Sequence, residues 1–214
     1  MRENIPAGDV FQNLRRFMRP RAASTEQCGL CGTPVGQTHH HLLELANRKI
    51  VCSCEACAIL FSDRAANTYR RIPTDIYILP AFVLSDVQWE ALSIPINMAF
   101  FCEYEGFLEP SVFYPSPAGA TQAHLDADSW HPLVAQNPGL QRMKPDVEAL
   151  LVNRVTHPHD YYIVPIDECY RLVGLIRTKW RGFSGGKDVW QSIGEFFASL
   201  KSRAKVPQGA TTHA

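Results

Sequence analysis

Two CxxC pairs, Cys28-Gly-Leu-Cys31 and Cys54-Glu-Ala-Cys57, constrain this chain more than any other feature. Each pair forms a tight turn that presents two thiolates on one side. With 22 residues between the pairs, the four sulfurs can close a tetrahedron around one metal ion. A fifth cysteine, Cys52, competes with Cys54 for one place. Cys54 and Cys57 repeat the spacing of Cys28 and Cys31, so the expected ligands are Cys28, Cys31, Cys54 and Cys57. Cys52 is left as a spare thiol, an alternative ligand or a neighbour just behind the ligands. Glycines at 29 and 32 suit the knuckle turns because glycine tolerates positive φ.

Four protein ligands leave no coordination position for water, so a zinc ion here is expected to hold structure and not to catalyse. Iron in the same cage would instead make a one-electron carrier, and thiolate ligation alone does not separate the two metals. The first knuckle, CGLCG, resembles that of rubredoxins, whereas the second, CEACA, lacks the proline and glycine usual there. Between the knuckles stands the densest histidine cluster of the chain, His39-His40-His41. His39 or His41 is an alternate ligand. Histidines after a first CxxC are also similar to those of zinc-supported HNH nucleases, where one acts as general base. The Asn and Lys usual after the last knuckle of that family are replaced here by Ala58-Ile59-Leu60-Phe61.

Five of the seven cysteines crowd into Cys28 to Cys57, which suits a metal site in a reducing compartment better than a disulfide framework. Cys102 and Cys169 sit among apolar residues and read as small buried thiols. Lys+Arg and Asp+Glu balance at 21 each, so nothing in the totals asks for a polyanionic partner, and bulk nucleic-acid binding is not indicated. The first residues carry no apolar core of signal-peptide length, and no stretch approaches the roughly 18 apolar residues that cross a bilayer. A soluble cytoplasmic protein without membrane insertion is expected.

The expected fold class is α+β: a small zinc-ribbon-like module packed on a larger domain with a β-hairpin and a C-terminal helical hairpin. Residues 1–21 form a basic helix and tail, with Phe11, Leu14 and Phe17 behind the N-cap residue Asp9, and with Arg15, Arg16, Arg19 and Arg21 as a local basic cluster. Residues 22–68 are the cysteine-rich module, 69–204 the α+β domain, and 205–214 a disordered tail.

Within the larger domain, Ser85 with Gln88 forms a capping box, and Leu84 against Trp89 a hydrophobic staple, so a helix starts there. IPINMAFFCEY and EPSVFYPS read as an antiparallel strand pair. SPAGATQAHLDAD reads as a loop, and WHPLVAQN as a short helix closed by Asn137 before Pro138. Pro145, Asp146 and Glu148 announce another helix running through Arg154, because proline suits a first turn and acids favour its positive end. YYIVPI is a strand. Cys169, Leu172, Val173, Ile176 and Trp180 then fall on one helical stripe, with Asp167 available as N-cap. Gly182 and Gly185-Gly186 make a turn, and Val189, Ile193, Phe196 and Leu200 repeat the stripe.

Elsewhere the chemistry is sparse. The loop after Phe113-Tyr114 lacks the lysine of a P-loop, and His157-Pro158-His159 reads as an exposed loop. No Ser-His-Asp arrangement, catalytic carboxylate pair or dinucleotide motif stands out. The motifs CGLCG, CSCEACAILF, WEALSIP, FYPSPAGAT, PDVEALL, VPIDECYRLVG and WRGFSGG followed by VW resemble, across residues 26 to 203, an uncharacterised bacterial family encoded beside oxygen-tolerant nickel-iron uptake hydrogenases of the actinobacterial type. That resemblance implies a non-enzymatic accessory protein for hydrogenase maturation, assembly or electron supply, with a hydrogenase subunit or maturation protein as partner. It transfers no catalytic residue.

Overall fold

The computed structural model describes residues 26–61, 68–125 and 127–207. The basic helix expected around residues 9–18, with its arginines, and the tail beyond residue 207 lie outside them. Among the described residues the chain is mixed α and β, with two antiparallel sheets. A three-stranded sheet in the order β2-β1-β3 is built from β1 (His40–Glu44), β2 (Lys49–Ser53) and β3 (Tyr69–Arg71). Helix α1 (Glu55–Leu60) follows β2 directly.

A six-stranded sheet in the order β4-β9-β8-β5-β6-β7 forms the larger unit, from β4 (Tyr77–Ile78), β5 (Met98–Cys102), β6 (Ser111–Ser116), β7 (Gly119–Ala123), β8 (Glu148–Asn153) and β9 (Asp160–Pro165). Its helices are α2 (Asp86–Ala91), α3 (Ala127–Gln136), α4 (Ile166–Lys179) and α5 (Lys187–Arg203), with a 3-10 turn at Pro138–Arg142. Strand alternation divides its core in two. Met98, Phe100 and Cys102 of β5, Ala149 and Leu151 of β8, and Tyr162 and Val164 of β9 face one cluster with the apolar stripes of α4 and α5. Ala99, Phe101, Leu150, Val152, Tyr161 and Ile163 face the other, with Trp89 of α2 and Trp130 and Leu133 of α3. The sheet is thus a middle layer covered on both sides. Leu43 of β1 and Ile72 belong to the first cluster, so the small sheet is packed onto the face that carries α4 and α5.

Several expectations hold. Ser85 accepts from the Gln88 N–H while the Gln88 side chain accepts from the Ser85 N–H, a full capping box, and Leu84 and Trp89 are buried in one cluster. β5 and β6 pair antiparallel, with Phe100 opposite Phe113. The helical hairpin of α4 and α5 buries Cys169, Leu172, Val173, Ile176, Val189, Ile193, Phe196 and Leu200. Cys102 and Cys169 are both buried thiols.

Three local expectations fail. The helix expected from Pro145 to Arg154 is instead the central strand β8, all six residues of which are buried. Covered on both faces, it shows an unbroken apolar run with no alternation, which reads equally as helix. The loop expected after Ser116 contains β7, an edge strand of small and polar residues held by its register with β6. Asp167 does not cap α4: Pro165 occupies the N-cap position, without a side-chain bond, and Asp167 lies in the first turn. The small sheet also runs past the composition boundary near residue 68, since β3 ends at Arg71. Lys205 pairs with the β4 edge, its N–H donating to Ile76 and its carbonyl accepting from Ile78.

Glu148, at the start of β8, is buried, and its carboxylate accepts from the Lys144 N–H at 2.8 Å. Burial pushes its pKa up, against the opposing pull of that N–H and of the Lys144 and Arg142 charges. An acid with a raised folded pKa contributes least above that pKa: stability falls as pH rises from the unfolded value through the folded one. Glu148→Gln is therefore expected to flatten this part of the pH profile and to raise the urea midpoint at pH 7 relative to pH 4, compared with wild type. Equal pH dependence in both proteins would refute the assignment.

Candidate metal centre

The first knuckle is a closed turn. Gly32 N–H donates to the Cys28 carbonyl and Cys28 N–H to the Thr33 carbonyl, both at 2.8 Å, and Gly32 takes φ +75° as expected for the turn residue. Gly29 is required for a different reason from the one its sequence position suggested. Its φ is not positive; instead a Cβ built there would lie 2.4 Å from Val51 Cγ1. The close approach lets Gly29 N–H donate to the Cys52 carbonyl at 2.8 Å, joining the first knuckle to β2. Val51 is β-branched and yields little. Gly29→Ala is expected to destabilise the knuckle by about 1 to 3 kcal/mol, the usual cost of overpacking. Weakened metal retention against a chelator would report this, and unchanged retention would refute it.

The second knuckle is the start of a helix. Cys54 is the N-cap of α1 and Cys57 lies in its first turn, with Ala58 N–H donating to the Cys54 carbonyl at 2.9 Å. Together the knuckles bring the Sγ atoms of Cys28, Cys31, Cys54 and Cys57 within 4.8 Å of one another. The Cys31 and Cys54 sulfurs are 3.7 Å apart. Metal–sulfur bonds of about 2.3 Å directed to the corners of a tetrahedron separate sulfurs by about 3.8 Å, so this edge fits such a cage. Cys28 and Cys57 are buried with Val35 in a small cluster, while Cys31 is exposed.

The thiols are electrostatically unequal. Burial opposes ionisation of Cys28, but the N–H groups of Cys54, Cys31 and Leu30 and the Cys31 thiol outweigh it, bringing its pKa down to about 6. The Thr33 hydroxyl and N–H lower that of Cys31. Burial and the other three sulfurs push Cys57 up to about 12. Without a cation the group gives up a first proton readily and holds its last; a metal ion supplies the positive charge that four thiolates need.

The alternate ligands do not join this set. His39, His41 and Cys52 form a group of their own, with one ligand atom each within 4.8 Å of the others. His40 points to the opposite side, its Nε2 hydrogen-bonded to the Glu55 carboxylate and its Nδ1 3.0 Å from an Arg71 nitrogen. His41 Nδ1 meets Asp167 Oδ2 at 2.7 Å, and this bond, opposed by burial, raises the His41 pKa. Asp167 is the functional neighbour that sequence reasoning misassigned: it lies 126 positions from His41, and nothing local marks the pairing. The period-two spacing of His39 and His41 ahead of the apolar Leu42-Leu43 was the available signal for their common face.

The model of a family of unknown function, DUF5947, matches residues 27–204. The chain belongs to that family. The DUF5947 match begins one residue before Cys28 and runs to the end of α5, so it spans the four-cysteine group and both sheets. No curated protein and no solved structure matches the chain. Among the described residues no helix is long and apolar enough to cross a membrane.

Proposed function

We propose that this DUF5947 protein is a non-enzymatic accessory factor for nickel-iron hydrogenase maturation or assembly, acting in the cytoplasm. Its knuckles form a zinc-ribbon-like module that holds structural zinc through Cys28, Cys31, Cys54 and Cys57 and presents a surface to a hydrogenase subunit or maturation protein. The observation that carries this reading is the closed four-thiol set beside exposed apolar side chains: α1 starts at the cysteines and ends at Leu60 and Phe61, which are 72% and 43% exposed. Apolar side chains left in water beside a rigid metal knuckle suit a protein contact. A closed ligand set leaves no site for chemistry at that metal. The hydrogenase assignment rests on the motif resemblance.

Affinity purification of the tagged protein from cells expressing the hydrogenase is expected to recover a hydrogenase subunit or maturation protein, and Leu60→Asp with Phe61→Asp is expected to lose it. Failure to recover one, together with normal hydrogenase activity in a deletion strain, would end the proposal. A second reading, an Fe(Cys)4 electron carrier, is favoured by the exposure of Cys31, which brings one sulfur to the surface. Protein purified without oxygen would then be red and bleach on reduction; a colourless zinc protein refutes that reading.

A further inference from the structure

Strand alternation sends His39 and His41 to one face of the small sheet, and Cys52 stands directly opposite His41 in the β1–β2 register. Three side chains, two imidazoles and a thiol, of the kinds that bind borderline divalent cations therefore meet on the side of the sheet facing α4, within 4.8 Å of one another. Both imidazoles are already oriented as metal-bound imidazoles are. His39 Nδ1 lies 2.7 Å from the Gly36 carbonyl oxygen, which only accepts, so Nδ1 carries the proton and Nε2 the lone pair. His41 Nδ1 lies 2.7 Å from the Asp167 carboxylate, leaving its Nε2 for a ligand. A carbonyl on one ring and a carboxylate on the other are the usual partners that fix tautomer and direction in metal sites.

A further observation points to a missing ligand. The His39 side chain is 8% exposed, and its Nε2 is buried with no hydrogen-bond partner. Buried polar atoms in folded proteins are nearly always satisfied, so a lone pair held in this way asks for a partner. The far oxygen of Asp167, Oδ1, is likewise buried and unpartnered.

We propose that His39, His41 and Cys52 form a second metal site, separate from the four-cysteine centre, which takes a zinc-class divalent ion with water or an incoming donor as its fourth ligand. Three protein ligands leave one position open, unlike the four-cysteine centre, whose Cys54 follows Cys52 by two residues. The site is built across both sheets' packing: two ligands come from the β1 strand and its lead-in, one from β2, and the carboxylate that holds His41 comes from the first turn of α4. A bound ion would therefore sit on the small sheet, with one of its ligands, His41, braced by the larger unit through Asp167. This inference is independent of the hydrogenase reading.

The test is metal stoichiometry on the full chain exchanged with Co2+, read by absorption. Wild type is expected to take two equivalents, one with a tetrathiolate spectrum and one with the weaker charge-transfer band of a single thiolate. Cys52→Ser and His39→Gln are each expected to take one, with the tetrathiolate spectrum kept, which also reports that the knuckles remain folded. Saturation of wild type at one equivalent overturns the proposal. So does either variant that still takes two, and so does either variant that takes none, because the two sites would then be one cluster.

Discussion

Removing the metal from the four-cysteine centre is expected to unfold the two knuckles and spare both sheets. The knuckles have almost no core of their own: Cys28, Val35 and Cys57 are the buried members of their cluster, and two of these belong to the four-cysteine group. A segment this small cannot offset its conformational entropy by burial alone. In small zinc modules the metal contributes about 10 to 16 kcal/mol at neutral pH, which is the folding energy itself. The sheet beside them is anchored differently, because Leu43 and Ile72 are buried in the core that α4 and α5 share. Hydrogen exchange after chelation, or in a Cys57→Ser variant, should therefore show the amides of Cys28, Gly29, Gly32, Val35, Ala58 and Phe61 losing nearly all protection, while β5, β8 and β9 keep theirs. Unchanged protection of the knuckle amides after the metal has gone would contradict this account.

The second large effect concerns β8. Leu150 and Leu151 are adjacent, both fully buried, and face opposite clusters. Leu150→Ala and Leu151→Ala are each expected to cost about 2 to 5 kcal/mol, the range for truncating a buried leucine. Urea unfolding measures both. A central strand covered on two sides requires that both be costly; an element buried on one side only would tolerate one of them within about 0.5 kcal/mol. That second outcome would refute the three-layer arrangement.

β8 also shows where a single sequence stops being legible. The capping box at Ser85 and the stripes of α4 and α5 were readable because they are local or periodic signals, and the structure contains them except for Trp180, which lies one residue past the end of α4 in extended backbone. Glu148-Ala-Leu-Leu-Val-Asn carries neither alternation nor a turn signal, and its preceding proline and acids imitate a helix start. Those residues do something else: Asp146 adopts φ +70° at the entry to the strand, and Glu148 is buried beneath Lys144. β7 failed for the reverse reason, since Gly-Ala-Thr-Gln-Ala has weak strand propensity and is fixed by pairing with β6.

The candidate site was legible to a similar extent. Two CxxC pairs name the four cysteines by spacing, and the structure brings those four together. The place of Cys52 was not readable from spacing, because the choice depends on which face of β2 it occupies. Register decides it: opposite His41, Cys52 turns away from the knuckle and toward the histidines. The carboxylate of Asp167, brought in by the packing of α4, has no local signature at all.

The central claim is that Cys28, Cys31, Cys54 and Cys57 together bind zinc. X-ray absorption at the metal edge of the Cys52→Ser variant tests it most directly, because the variant removes the one competing thiol. The expected result is zinc with four sulfur neighbours at about 2.3 Å. A shell containing nitrogen or fewer than four sulfurs, iron in place of zinc, or a purified protein without metal would contradict it.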